Sequence, residues 1–172
     1  MPLKRRHYLK LAGVDDQLFK TLQRREQVPG FARRISEDKK SSDELYSVVS
    51  AFQLALADNL ASQASADRTE AAAISTAYAL YFSDLWSIFK DTGDVWICNY
   101  KECTIQNSDG TEVIKQAPTA FGGTIEQILA QIAQRNADTD KEVRSLAFVN
   151  AGAIFRRMQR VAKDDDLNIG LE

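Results

Sequence analysis

The side chains best suited to chemistry in this chain lie near its beginning. Gln17, Lys20, Thr21, Arg24 and Arg25 fall between Gly13 and the pair Pro29-Gly30. They are amides, cations and a hydroxyl, the groups that hydrogen-bond base edges and phosphate oxygens. Val14, Leu18, Phe19 and Leu22 interleave with them at the spacing of one helical face, which turns the polar set away from the apolar one. Arg33, Arg34, Lys39 and Lys40 follow closely and suit phosphate contacts, as do Arg5 and Arg6 before them. The chemistry implied is noncovalent recognition of a polyanion.

Little else points to catalysis or metal binding. The single histidine, His7, is far from the two cysteines, Cys98 and Cys103. Zinc takes about four nitrogen or sulfur ligands, so Cys and His cannot complete a site, and a reduced cysteine pair in a hairpin is expected. No GxSxG, P-loop, GxGxxG or HExxH occurs. The acidic runs Asp15-Asp16 and Asp164-Asp165-Asp166 fall at a helix start and in a tail. The expectation is a protein that is not an enzyme and uses no cofactor or metal.

Charge is unevenly distributed. The 172 residues hold 22 Lys and Arg against 24 Asp and Glu, a net −2. Residues 1–40 carry eleven basic and five acidic side chains, a net +6, which leaves −8 on the remainder. A basic end on an acidic body orients an encounter with nucleic acid. Hydrophobic residues at 44% and charged residues at 27% are ordinary globular values, which exclude a disordered chain or a disulfide scaffold. The densest apolar stretch, residues 71–89, is interrupted by Ser75, Thr76, Ser83, Asp84 and Ser87, and no leader-like order opens the chain. A soluble, cytoplasmic protein is expected.

Residues 13–31, Gly-Val-Asp-Asp-Gln-Leu-Phe-Lys-Thr-Leu-Gln-Arg-Arg-Glu-Gln-Val-Pro-Gly-Phe, resemble the helix-turn-helix signature of MerR-type regulators and phage excisionases. In that signature a Gly-Val turn precedes a polar cap, a short recognition helix, and a Gly-x-aliphatic-Pro exit into a basic wing. The frame from Gly13-Val14 to Val28-Pro29 matches without a gap. Glu26 stands where the family usually has Gly, and Leu22 where it usually has an aromatic residue. The resemblance implies a winged helix-turn-helix over residues 1–42. It also implies a double-stranded DNA partner and a regulator of bacterial, phage or mobile-element type.

The elements needed to carry these residues follow from pattern. A short helix with Leu9, Leu11 and Ala12 ends at Gly13, and Asp15 caps a second helix over residues 16–25. Residues 32–41 read as a wing, and Ser42 as the cap of a third helix bearing Leu45, Val48, Val49, Phe52, Leu56 and Leu60. Asp67 with Glu70 opens a fourth helix running to about residue 90. Its aromatic residues, with Trp96, either line an effector pocket or fill space against a hairpin. The period then changes to two, and Asp109-Gly110 marks a hairpin near residues 94–116. Pro118 and Gly122-Gly123 read as a loop, Thr124 with Gln127 opens a fifth helix, and Thr139 with Glu142 a sixth. Phe148, Ala151, Phe155 and Met158 recur on that last helix in steps of three and four, the seam of a paired helix. The seam is either a dimer interface or an internal contact.

The expected architecture is mainly α: a winged helix-turn-helix at 1–42, then a helical dimerisation or regulatory domain at 43–172 with one hairpin. The expected function is a sequence-specific DNA-binding transcriptional regulator acting as a homodimer, because one recognition helix reads about half an operator. Alternatives are an adaptor whose N-terminal helices dock a protein, and a recombination directionality factor.

Overall fold

The computed structural model describes residues 2–30, 45–64, 66–105, 112–113, 119–137 and 141–170. Within them the chain is mainly helical with a small antiparallel sheet. The order is β1 (Leu3–Lys4), α1 (Arg5–Ala12), α2 (Asp16–Arg24), β2 (Leu45–Tyr46), α3 (Val48–Gln63), α4 (Arg68–Ala79) and α5 (Phe82–Thr92). Then come β3 (Trp96–Ile105), β4 (Glu112–Val113), β5 (Thr119–Gly123), α6 (Ile125–Asn136), β6 (Lys141–Asn150) and α7 (Ala151–Asp164). The wing expected at 32–41 and the Ser42 cap lie outside the described residues, as does the hairpin turn at 107–110.

The middle of the molecule is α3. Every residue from Ser50 through Ala57 is buried, as is Leu60, so the helix is covered all round by α1, α4, α7 and β6. It starts later than Ser42 predicts. Leu45 and Tyr46 form β2, which pairs with β1 in the register Leu3↔Tyr46, and Ser47 is the true cap. The Ser47 hydroxyl accepts from Ser50 N–H while Ser50 Oγ accepts from Ser47 N–H, each at 2.9 Å.

The expected fourth helix is two. Asp67 caps α4 through Thr69 and Glu70 N–H as expected, but the helix breaks at Leu80 and Tyr81. The break lets Ala71 and Ile74 pack in the core from α4 while Phe82, Trp86 and Phe89 turn onto α7. Phe82, Trp86 and Phe89 therefore fill space between helices, while Tyr78 and Trp96 pack at the sheet.

The sheet is larger than one hairpin. β3 is central, with β6 along one side from Trp96↔Asn150 to Thr104↔Lys141. On the other side β5 pairs from Trp96↔Gly123 to Tyr100↔Thr119, and β4 continues with Thr104↔Val113. Gly122-Gly123 is strand, not loop; a Cβ on Gly122 would lie 2.7 Å from the Tyr78 ring and 3.0 Å from Leu85, so glycine lets these side chains lie on the sheet backbone. The stretch after Thr139 is the strand β6, not a helix, and Asn150 at its end caps α7 by accepting from Ala153 N–H at 2.8 Å.

One face of the sheet, with Cys98 and Tyr100, packs on Ile128 and Ile132 of α6. The other, with Ile97 and Val149, joins a core that runs without interruption from Leu3, Tyr8 and Phe19 to Phe155 and Met158. Packing thus crosses the boundary expected near residue 42. Tyr8 of α1 stacks on Tyr46 of β2 at 4.1 Å between centroids, with Phe19 of α2 edge-on at 5.6 Å.

Candidate nucleic-acid interface

The two N-terminal helices are closed by the same device. At the end of α1, Gly13 takes φ +70°, its N–H meets Lys10 C=O, and Val14 N–H meets Leu9 C=O. At the end of α2, Glu26 takes φ +55°, its N–H meets Gln23 C=O, and Gln27 N–H meets Leu22 C=O. Both are Schellman closures, which favour glycine at the left-handed residue. The position where the resembled family carries Gly is thus one where this chain holds a non-glycine residue in a left-handed conformation. Glu26→Gly is expected to stabilise the protein by roughly 0.5–1 kcal/mol, because the lost Cβ strain of about 1–2 kcal/mol outweighs the added chain entropy. A Tm raised by roughly 1–4 °C checks it.

Asp15 accepts from Leu18 N–H at 2.7 Å and starts α2 as expected. Phe19 and Leu22 are buried and Leu18 half-buried, so α2 is anchored along one face. Gln17, Lys20, Thr21 and Arg24, at i, i+3, i+4 and i+7, form the opposite face. Gln17, Lys20, Arg24 and Arg25 are exposed and Thr21 half-buried. The face is about 10 Å long at 1.5 Å per residue, roughly three base-pair steps at 3.4 Å. Arg25 sits beside it at the helix end.

Not all of this polar capacity is free. Asp16 binds Lys20 Nζ at 2.7 Å and Arg5 at 2.8 Å, and the Lys20 hydrogen bond, with Arg5 behind it, holds the Asp16 carboxyl below its ordinary range. Thr21 Oγ1 donates to Gln17 C=O at 3.0 Å, leaving its lone pairs as acceptors. Arg24 and Arg25 have no ion pair among the described residues. Arg33, Arg34, Lys39 and Lys40 lie outside the described residues.

The expected dimerisation seam is not one helical face. Phe148 is on β6, half-buried against the α6-side cluster of the sheet. Ala151, Phe155 and Met158 are on α7 and fully buried inside their own chain, so the internal alternative holds for these three. Cys98 is free and buried, and burial pushes its thiol up to about 11. Its role is packing on Tyr100 and α6.

Residues that pattern reading passed over also surround α1. Arg157 of α7 donates from Nη2 to Ala12 C=O at 2.6 Å, placing a cation at the carbonyl end of α1. Lys10 pairs with Asp165 at 2.5 Å beside Arg6 and His7. These contacts join segments about 150 positions apart in sequence, so no local spacing signals them.

Neither a family model nor a curated protein matches the chain. No helix among the described residues is long and apolar enough to cross a membrane.

Proposed function

We propose that the protein is a sequence-specific DNA-binding regulator whose reader is α2. The observation that carries this is the Gln17–Lys20–Thr21–Arg24 face, a set of donors and acceptors standing opposite a buried anchor of Phe19 and Leu22. A helix of this width enters a major groove about 12 Å across, and these side-chain types match base edges and flanking phosphates. The winged helix-turn-helix reading of residues 1–42 rests on the Gly-Val and Val-Pro-Gly frame together with the left-handed Glu26. Arg33, Arg34, Lys39 and Lys40 are read as wing contacts to phosphate. A homodimer follows from the half-operator reach of one helix, with an interface that does not use the buried Ala151, Phe155 and Met158.

The test starts by sequencing genomic DNA captured on the purified protein, which supplies the operator. Binding isotherms on operator and random duplex then separate roles within α2. Lys20→Ala and Thr21→Ala are expected to lose about 1–3 kcal/mol of discrimination each. Arg24→Ala should weaken both duplexes alike and lower the salt slope by about one. If Lys20→Ala and Arg24→Ala both bind the operator as the parent chain does, α2 is not the reader and the adaptor reading replaces this one.

A further inference from the structure

A cleft of about 320 Å³ lies where α1 meets the end of α7, lined by Arg6, His7, Lys10 and Asp165. Three of these come from one surface of α1: Arg6 and Lys10 are exposed, His7 is half-buried, and all point away from the buried Tyr8, Leu9, Leu11 and Ala12. Arg6 Nε donates to His7 Nε2 at 2.9 Å, which fixes the two side chains relative to each other. The fourth, Asp165, arrives from the far end of the chain and receives Lys10 Nζ at 2.5 Å.

The position of that carboxylate is not explained by α7. Asp164, Asp165 and Asp166 stand at the C-terminus of α7, where the helix dipole is already negative and acidic side chains are disfavoured. Asp166 takes a left-handed φ of +50° to close this end. What stabilises the acidic end is the basic surface of α1. The Lys10 hydrogen bond, with His7 and Arg6 behind it, holds the Asp165 carboxyl below its ordinary range. A carboxylate bound by a lysine, with an arginine and a histidine close by, occupies the same kind of environment as a bound phosphate oxygen.

We propose that the cleft formed by Arg6, His7 and Lys10 seats a phosphate group of the nucleic-acid backbone, and that Asp165 fills the seat in the free protein and is displaced on binding. The proposal rests on the DNA-binding reading above and extends it from α2 to α1. Its consequence is an affinity held down by the protein's own acidic end. Non-specific binding, which is set by phosphate neutralisation, is the component most affected.

His7 is the only histidine in the chain, so its imidazole gives a single NMR signal from inside the cleft. The full chain, Asp165→Asn, and Asp165→Asn combined with Arg6→Ala are each titrated with a short mixed-sequence duplex and, separately, with inorganic phosphate. Melting curves verify that each variant is folded. Asp165→Asn is expected to bind the duplex about 5- to 10-fold more tightly, with the salt slope steeper by about one, and to move the His7 signal. The added Arg6→Ala should reverse the gain.

A His7 signal in Asp165→Asn that responds to neither ligand overturns the proposal, even if α2 variants lose operator binding and the regulator reading stands. A response to inorganic phosphate without one to duplex supports an anion seat and overturns its assignment to nucleic acid.

Discussion

Phe155→Ala is expected to destabilise the folded protein by about 3–5 kcal/mol, the range for emptying an aromatic site in a closed core. The Phe155 ring is fully buried and has aromatic neighbours on several sides. It stacks on Phe52 of α3 at 5.0 Å and 9°, and meets Phe82, Trp86 and Phe89 of α5 at 5.6, 5.2 and 5.5 Å. Removing it leaves four rings facing a void that helices anchored at both ends cannot close. For a chain of this length the Tm should fall by roughly 6–20 °C, at about 2–4 °C per kcal/mol. The loss should be independent of protein concentration, because the contacts are within one chain. Phe155→Asp should unfold the protein by placing an unpaired charge in the same site. A folded, monomeric Phe155→Asp protein would restore the dimer seam and refute the packing argument.

The same residue marks what the sequence could and could not disclose. The steps of three and four through Ala151, Phe155 and Met158 correctly indicate one buried face, but a periodicity is blind to what covers it. Phe148 falls into the pattern because the end of β6 is buried from both faces, with Ala147 and Val149 against the main core and Phe148 against the α6-side cluster, while Leu146 is exposed. A strand covered on both sides loses the alternation that would distinguish it from a helix. The break at Leu80 and Tyr81 contains neither Gly nor Pro, so nothing local announced it; the rings that gather on Phe155 set it from outside.

Capping was the legible part. Asp15, Asp67 and Thr124 each start the helix that their side chains predict, because a cap is a contact over three residues, but Thr139 with Glu142 offers the same pattern ahead of the strand β6, where pairing with β3 decides instead. Ser47 and Asn150 carried the same signal and identify where α3 and α7 begin. On the candidate interface, the polar face of α2 follows from spacing alone. The Asp16 ion pairs with Arg5 and Lys20 follow in part from an i, i+4 relation. The Arg157 and Asp165 contacts with α1 depend on the tertiary fold and could not be read.

Arg157 ties the end of α1 to α7. It is half-buried, with Nε closed off from water and without a hydrogen bond among the described residues, and burial pulls its pKa below the usual arginine value although Asp58 partly opposes this. Such a group is costly to bury unless its donors are used. Nη2 donates to Ala12 C=O, one of the carbonyls left open at the end of α1, and the fork lies directly over Gly13. A Cβ on Gly13 would fall 2.5 Å from Nη1 and 2.7 Å from Cζ, and Gly13 is also at φ +70°. Gly13→Ala is therefore expected to cost about 1–2 kcal/mol for the left-handed backbone and about 1.5–3 kcal/mol more for the displaced charged hydrogen bond. Arg157→Met keeps the apolar stem while removing the fork, and in that background only the backbone share should remain. The two substitutions should accordingly be less than additive by about 1.5–3 kcal/mol, the hydrogen-bond share, in a double-mutant cycle read from urea unfolding. Full additivity would mean that the guanidinium moves aside freely, and that α1 is held to α7 by its apolar residues alone.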